Sequence, residues 1–139
     1  MTQKILITGC AGSIASNFIR RVYFDKLPYQ LVGIDNLSSK HSTKNVFLNK
    51  SFKMHIGNIL DKEFFGKILE LEQPDIILHL AHDQWRDSDE VNFIYSIYDQ
   101  LSINASIKKI IYISGNNYAN DNSKETDLVT PQDYHSVGQ

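Results

Sequence analysis

The sequence has little that would mark a secreted, membrane or nucleic-acid-binding protein. Its single cysteine, Cys10, cannot form an intramolecular disulfide, which fits a reducing compartment. No apolar run approaches the roughly 20 residues of a membrane span, and the N-terminus enters a predicted strand at once. A net charge of −2 gives no basic surface for nucleic acid or anionic lipid. We therefore expect a cytoplasmic protein without a signal peptide and without membrane or nucleic-acid partners.

What is present is the composition of an ordinary globular domain. Hydrophobic residues make up 42% of the chain and charged residues 22%. A chain of 139 residues can bury a sizeable core, and we find no interdomain linker or internal repeat. We expect residues 1–139 to form a single domain.

The N-terminal stretch predicts a strand, a turn and a helix. Residues 5–7 are an apolar run typical of a buried parallel strand. The run ends at Gly9, after which apolar residues recur at helical spacing. These residues are Ile14, Phe18, Ile19, Val22 and Tyr23.

Three small residues in this turn follow a dinucleotide-binding spacing. Gly9 permits the tight turn, Gly12 lets a pyrophosphate approach the backbone, and Ala15 lets the helix pack closely on the strand. The helix N-terminus adds N–H groups and a partial positive charge for a phosphate. The next predicted strand, 30–34, ends at Asp35, about 20 residues beyond the turn, where such folds place the ribose-binding acid. The pattern therefore predicts dinucleotide binding.

The remaining elements complete an alternating order of strands and helices. We predict further strands at 51–56, 75–80 and 109–114, and helices at 62–72, capped by Asp61, and 88–106. This order predicts a Rossmann-like, doubly wound parallel sheet of about five strands with helices on both faces. Ligands bind such sheets beyond the carboxyl ends of the strands. The residues expected there are Thr8, Asp35, Gly57, Ala81 and Ser114.

Several motifs, in order, resemble the extended short-chain dehydrogenases/reductases, the NAD-dependent nucleotide-sugar epimerases and dehydratases. The segment 8–15 resembles their cofactor turn, 35–37 their ribose motif, and 57–59 their adenine-side turn, where aspartate is usual at the position of Asn58. The segment 79–82 is similar to their histidine-leucine-alanine-alanine signature, and Tyr134 to their catalytic tyrosine.

The resemblance implies a cofactor, a substrate class and site residues. The cofactor is NAD and the second ligand a nucleotide-sugar. The implied catalytic residues are Ser114 and Tyr134. The implied cofactor-binding residues are Thr8, Gly9, Ala11, Gly12, Ser13, Ile14, Asp35, Asn36, Asn58, Ile59, Leu80 and Ala81.

The chain also departs from the resemblance. The family places a lysine four residues after its tyrosine, where Gly138 stands here, and the acid pair of dehydratases falls on Gly115 and Asn116. Dehydration is therefore the least expected of the family's reactions. Family members are roughly twice this length, so we expect the substrate domain to be absent from these residues.

Three functions remain open at this point. The chain is the NAD-binding part of a sugar-nucleotide enzyme, a catalytically inactive dinucleotide-binding module that senses or scaffolds, or a structural protein that reuses the fold. Gly9, Gly12 and Asp35 favour the first two, and the glycine at 138 favours the second.

Other residues have a structural interpretation beside a functional one. His79 and His82 have no third ligand in view, so we expect no metal site and a hydrogen-bonded histidine at the strand end. Cys10 lies near a helix N-terminus, which can lower a thiol pKa, but a small residue tolerated in the turn is the expected role. Tyr95 and Tyr98 are expected in the core or on the face of a homo-oligomer.

Overall fold

The computed structural model describes residues 2–40, 42–47, 49–81, 94, 95, 97, 99 and 103–113. The strands are β1 (Gln3–Thr8), β2 (Tyr29–Asp35), β3 (Lys53–Ile56), β4 (Ile76–His79) and β5 (Lys109–Tyr112). The helices are α1 (Ser13–Phe24), α2 (Ser42–Asn45) and α3 (Lys62–Glu72).

The five strands form one parallel sheet in the order β3-β2-β1-β4-β5. The order reverses direction beside β1, which is the central strand. Thr8 pairs with Ile34 on one side and with His79 on the other. This arrangement confirms the predicted Rossmann-like fold, and it brings the carboxyl ends of all five strands to one edge.

One face of the sheet packs against α1. Ile5, Ile7, Leu31 and Leu78 are buried against Ala15, Ile19 and Val22 of the helix. Ala15 is 1% exposed, so the small residue at the end of the glycine pattern lies at the contact between helix and sheet. Phe52 and Tyr23 extend this core toward the edge strand β3.

The opposite face packs against α3. Phe65, Ile68 and Leu69 lie on the buried side of this helix, as the spacing predicts. Its bounds match the prediction because the start and end signals are local. Asp61 accepts hydrogen bonds from the backbone N–H groups of Glu63 and Phe64, and Gln73 ends the helix in a left-handed conformation before Pro74.

The structure differs from the sequence prediction in three places. The polar stretch after β2 contains the short helix α2, which no apolar periodicity announces. The strands β3, β4 and β5 are shorter than predicted. In the segment before β5, Ile97 is buried, whereas Tyr95 is 66% exposed, which excludes the core alternative for Tyr95 and leaves the surface one. Tyr98 lies outside the described residues.

Glu72 is buried at the other edge of the sheet, where α3 ends. Its Oε1 lies 2.6 Å from both Lys53 Nζ and His55 Nε2, and its Oε2 lies 3.6 Å from Lys4 Nζ. Lys4 also donates to the Glu72 carbonyl at 2.7 Å. Burial raises the pKa of Glu72, but hydrogen bonds and charges from Lys53 and His55 outweigh it and lower the pKa. The cluster ties α3 to β1 and β3.

Candidate dinucleotide-binding site

A cleft of about 270 Å³ opens at the carboxyl edge of the sheet. It is bounded by the turn after β1, the end of β2 with the loop to α2, the turn after β3 and the end of β4. Small-molecule pockets commonly measure about 300–1,000 Å³, so the cleft suits part of a dinucleotide. All the cofactor-binding residues predicted from the sequence line it, apart from Thr8 and Ile14.

Gly9 forms the sharp turn that begins the cleft. Its φ angle of +70° is one that other residues adopt with strain. A Cβ atom there would lie 2.7 Å from the backbone N and Cα of Ala81. The Gly9 N–H donates to the Ile34 carbonyl at 2.8 Å, which fixes the turn against β2. Gly9 is therefore required by the fold, because it lets the ends of β1 and β4 approach each other.

Gly12 has a different role, since it is exposed and lies at the N-cap of α1. Its backbone is extended with φ −73°, and within the described part of the chain a Cβ atom there would meet only the Gly9 carbonyl oxygen, at 3.1 Å. No side chain among the described residues caps this helix, and no acidic residue lies in its first turn. The helix therefore offers its N–H groups and partial positive charge to an anion in the cleft.

Asp35 joins the turn to the end of β2. Its Oδ2 accepts from the Ala11 N–H at 2.9 Å, and its Oδ1 accepts from the Leu37 N–H at 2.7 Å. A carboxylate has about four acceptor positions, so each oxygen can still accept a further hydrogen bond from a ligand. The side chain thus holds the turn in place and keeps acceptor capacity toward the cleft.

Thr8 lies beneath the cleft instead of lining it. It is completely buried, and its Oγ1 accepts from the N–H groups of Leu80 and Ala81, at 3.3 Å each. The same hydroxyl forms a hydrogen bond with His79 Nδ1, 2.7 Å away. Thr8 therefore positions the residues after β4 that line the cleft. The hydrogen-bonded histidine expected at this strand end is confirmed, and its ring stacks on Tyr112 at 5.5 Å.

Three further predictions meet different outcomes. Ile14, in the first turn of α1, is 67% exposed and lies outside the cleft lining. Ser114 and Tyr134, the predicted catalytic residues, and His82 lie outside the described residues. Because β5 ends at Tyr112, Ser114 follows it by two positions.

The structure adds lining residues that the sequence analysis did not single out. Ser38, Ser39 and Ser42 border the cleft beyond Asp35, and Ile34 lines it as well. Gly57, which the sequence predicts at the ligand-binding edge, also lines the cleft. Ser42 donates to the Ser39 carbonyl at 2.7 Å, so this loop folds back on itself at the start of α2. The available signal was the run of small polar residues directly after the ribose motif.

Cys10 is buried in the same turn, 2% exposed. Burial, and then the charge of Asp35, raise the pKa of its thiol to about 12. Such a thiol is a poor nucleophile at neutral pH. Its burial agrees with the expected role as a small residue tolerated in the turn. The sulfur packs against Gly33, where a Cβ atom would lie only 2.5 Å from it.

Two kinds of feature are absent from the described residues. No helix among them is long and apolar enough to cross a membrane. No group of three or more histidine, cysteine or acidic side chains is arranged among them to hold a metal ion.

A parallel sheet wound in both directions from β1, with a glycine turn, an uncapped helix N-terminus and an acid after β2, defines a dinucleotide-binding domain of the Rossmann class. Residues 5–134 match the model of the NAD dependent epimerase/dehydratase family. The chain belongs to this family, and the resemblance inferred from its motifs is confirmed.

Curated relatives agree with this assignment. The chain is similar to the dTDP-D-glucose 4,6-dehydratase of Mus musculus, with 31% identity over 94% of this chain and 40% of the relative. The Dictyostelium discoideum protein of the same name is 29% identical over 99% of this chain and 38% of its own length. The chain therefore spans about two fifths of the length of these two relatives.

Solved structures share the fold. The dTDP-glucose 4,6-dehydratase of Bacillus anthracis, solved in complex with NAD, superposes with a TM-score of 0.73 at 19% identity, over 96% of this chain and 47% of that one. The UDP-glucose 4-epimerase of Thermotoga maritima, solved with UDP-glucose, has a TM-score of 0.65 at 25% identity, over 83% and 38%.

Proposed function

We propose that this chain binds NAD in the cleft and forms the dinucleotide-binding part of a nucleotide-sugar epimerase or dehydratase. The observation that carries the proposal is that the N-terminus of α1, at Gly12, lies beside the Asp35 carboxylate. The Ala11 N–H in the turn donates to Asp35 Oδ2 at 2.9 Å and holds the two together. An anion site and a hydroxyl-binding acid then lie side by side, as a phosphate and its ribose require.

The order of the strands supports a direction for the ligand in this proposal. The turn after β1 receives the pyrophosphate, and Asp35 after β2 receives the adenosine ribose. The next strand outward, β3, is followed by Gly57 and Asn58, and the Gly57 N–H donates to the Asp35 carbonyl at 3.1 Å. The adenine therefore lies over the turn after β3. The nicotinamide half extends the other way, toward Leu80 and Ala81 after β4.

The chemistry in this proposal is hydride transfer between the bound cofactor and a nucleotide-sugar. When bound, NAD supplies the hydride acceptor. The chain's own described residues bind and orient it: Asp35 accepts from the ribose hydroxyls, and Thr8 holds the backbone at Leu80 and Ala81. By resemblance, Ser114 and Tyr134 orient the sugar and remove its hydroxyl proton.

A second candidate is a dinucleotide-binding module without catalysis. Gly138 favours it, since the family's lysine is absent from the position four residues after the tyrosine, and a phenol without that help is a weak base near neutrality. Gly115 and Asn116 also lack the proton donors expected for dehydration, although dehydration is the activity named for the curated relatives. Both candidates require NAD binding and differ in turnover.

The proposal further includes a single domain at 1–139, a cytoplasmic location and self-association. The exposed residues Tyr95, Asp99 and Ile103 recur at four-residue intervals on the helical segment before β5. Two of them are large apolar residues, 66% and 74% exposed, which suits a face covered by a second copy. Sedimentation of the parent and of Ile103→Glu tests this: a dimer that the variant splits supports it, and a monomeric parent contradicts it.

The direct test of the proposed function is calorimetric titration of the chain with NAD, followed by UDP-glucose or dTDP-glucose added to the NAD complex. We expect a single saturable NAD site. An absence of NAD binding by the folded chain would overturn both candidates, whereas a response of the NAD complex to the nucleotide-sugar would favour the first.

A further inference from the structure

The backbone of Leu37, just beyond β2, is left-handed, with a φ angle of +57°. Among the described residues, two other non-glycine positions share this conformation, Lys26 at +52° and Gln73 at +46°. Each of those two follows a helix and donates its N–H to a carbonyl of that helix, at Tyr23 and Leu69 respectively. A left-handed residue is a common way to end a helix. Leu37 follows a strand, so a helix end does not account for its conformation.

A bulky residue rarely adopts this conformation, because its Cβ atom then crowds the following carbonyl oxygen. Strain of this kind persists only where the surrounding contacts hold it, and it is concentrated at sites that bind ligands. Here the Leu37 N–H donates to Asp35 Oδ1 at 2.7 Å, and the N–H of Ser38 donates to Asn36 Oδ1 at 3.0 Å. These two hydrogen bonds hold the chain on both sides of the Leu37 Cα atom.

The turn at Leu37 decides where the following residues lie. Leu37 is not among the residues that line the cleft, but the two residues before it and the two after it are: Asp35, Asn36, Ser38 and Ser39. The φ and ψ angles of a residue leave the chain before it in place and redirect the chain after it. An extended or right-handed backbone at Leu37 would therefore carry the two serines away from the side of the cleft that Asp35 borders.

We propose that Leu37 is a positioning residue for the dinucleotide, because its left-handed backbone places the serines of the following loop beside the carboxylate of Asp35. This inference rests on the proposed function, since it requires the adenosine ribose to lie at Asp35. Serine hydroxyls donate and accept hydrogen bonds, so they add partners for the adenosine half. Because the loop already lies there without a ligand, binding does not have to reorganise it. Leu37 acts through the serines and does not touch the ligand.

Two substitutions separate the role of the backbone from that of the side chain. Valine is apolar like leucine, but its β-branched side chain disfavours the left-handed conformation, whereas asparagine is polar and adopts that conformation readily. If the backbone conformation is what matters, Leu37→Val weakens NAD binding and Leu37→Asn restores it. If the apolar side chain is what matters, the two variants behave the other way round.

Lys26 offers a matched control outside the cleft. Its φ angle of +52° is similar to that of Leu37, its side chain is exposed, and it is not among the cleft-lining residues. Lys26→Val introduces the same backbone strain after α1. It should lower the midpoint of urea denaturation, as Leu37→Val does, and should leave the affinity for NAD as it is in the parent.

The experiment is calorimetric titration of the parent, Leu37→Val, Leu37→Asn and Lys26→Val with NAD. Circular dichroism and urea denaturation of each protein report the fold. We expect Leu37→Val to bind NAD about tenfold more weakly than the parent, the equivalent of one hydrogen bond. Leu37→Asn should bind NAD with an affinity close to that of the parent.

The outcomes separate this inference from the proposed function. If the parent binds NAD and Leu37→Val binds it equally well, or if Leu37→Asn binds it as weakly as Leu37→Val, the role of Leu37 is overturned and dinucleotide binding stands. An equal loss of affinity in Lys26→Val means that lower stability alone is responsible, and this also overturns the role of Leu37. If the folded parent does not bind NAD, both the inference and the proposed function are overturned.

Discussion

The carboxylate of Asp35 accepts a hydrogen bond from the Ala11 N–H at 2.9 Å, across the gap between the end of β2 and the turn after β1. The same carboxylate accepts from the Leu37 N–H at 2.7 Å. One side chain thus sets the position of the glycine turn and supplies the acid for the ribose. Removing it should disturb the cleft in both ways.

We expect the chain to bind NAD in preference to NADP. The Asp35 carboxylate accepts from the ribose hydroxyls and repels a 2′-phosphate placed in their position. Asp35→Ala should weaken NAD binding by about 1–3 kcal/mol through lost charge-assisted hydrogen bonds. It should also reduce the difference in affinity between NAD and NADP. Calorimetric titration with each cofactor measures both effects.

Asp25→Ala is the control for this change. Asp25 pairs with Arg21 at the end of α1, 2.6 Å away and far from the cleft lining. NAD binding should be the same as in the parent. Tighter binding of NADP than of NAD by the parent would contradict the role given to Asp35.

Gly12→Val should abolish NAD binding and leave the chain folded. The added side chain fills the space that the pyrophosphate needs, whereas within the described residues its Cβ approaches only the Gly9 carbonyl oxygen. Circular dichroism and urea denaturation report the fold, and titration reports binding. If the variant binds NAD as well as the parent does, the dinucleotide does not cross this turn.

Gly9→Ala provides the contrasting case. Its positive φ and the 2.7 Å approach to Ala81 predict a loss of stability of at least about 1–3 kcal/mol. The midpoint of urea denaturation should therefore fall for Gly9→Ala and change little for Gly12→Val. Equal midpoints would mean that the close approach of the β1 and β4 ends is unimportant for the fold.

Glu72 should make stability depend on pH in the acid range. Its pKa in the folded state is lowered from the usual value of 4.5, so its contribution is complete above that value and is lost as the pH falls through the lower, folded one. Glu72→Gln should cost about 1–3 kcal/mol near neutrality, and the difference from the parent should shrink below pH 4.5. Urea denaturation at several pH values measures this.

Glu63→Gln is the matched control for that series. Glu63 pairs with Lys67 at 2.6 Å on the exposed side of the same helix, where both side chains are at least 70% exposed. An exposed pair of this kind contributes little, so the stability should change by less than about 1 kcal/mol at any pH. If Glu63→Gln lowered the free energy of unfolding at neutral pH as much as Glu72→Gln does, the burial of the Glu72 cluster would not explain its contribution.

The 139-residue chain, tested by itself, should not turn over UDP-glucose or dTDP-glucose. Without a lysine at position 138, Tyr134 forfeits much of the roughly 10²–10⁴-fold that a positioned base supplies. The tested chain also spans only 38–41% of its relatives' lengths, and proper placement of the sugar is worth about 7–11 kcal/mol. The second deficit is larger, so Gly138→Lys should not restore activity.

Absorbance of NADH and chromatography of the products, with the parent and Gly138→Lys in parallel, check this expectation. Product formation by the parent would show that the residues assigned from the resemblance are misplaced, or that a second copy completes the site. Activity in Gly138→Lys but not in the parent would mean that the missing lysine limits activity more than the missing placement of the sugar does.

The parts of this fold that follow from local chemistry could be read from the sequence. The bounds of α3 depend on Asp61 and the Gln73–Pro74 end, and the glycine turn depends on its own spacing. Burial of Thr8 could not be read in this way, because its partners Leu80 and Ala81 lie more than 70 residues along the chain. Such contacts arise from the pairing of β1 with β4.

The serines that border the cleft show the same limit. Ser38, Ser39 and Ser42 have no periodicity and no charge, and they reach the cleft because the loop folds back at α2. Ile14 shows the reverse: its place in a helical pattern suggested a buried or ligand-facing side chain, but it is exposed. Position in a motif fixes the backbone more firmly than the direction of a side chain.

The burial of Cys10 gives the chain a built-in reporter of its own opening. The Cys10 sulfur is packed against Gly33 and lies in the same core cluster as Phe52. A thiol reagent can therefore modify this sole cysteine only when the turn after β1 opens away from these residues. The labelling rate then measures how often this turn opens, independently of the global unfolding that denaturants report. A ligand that holds the turn closed will slow labelling in proportion to its occupancy.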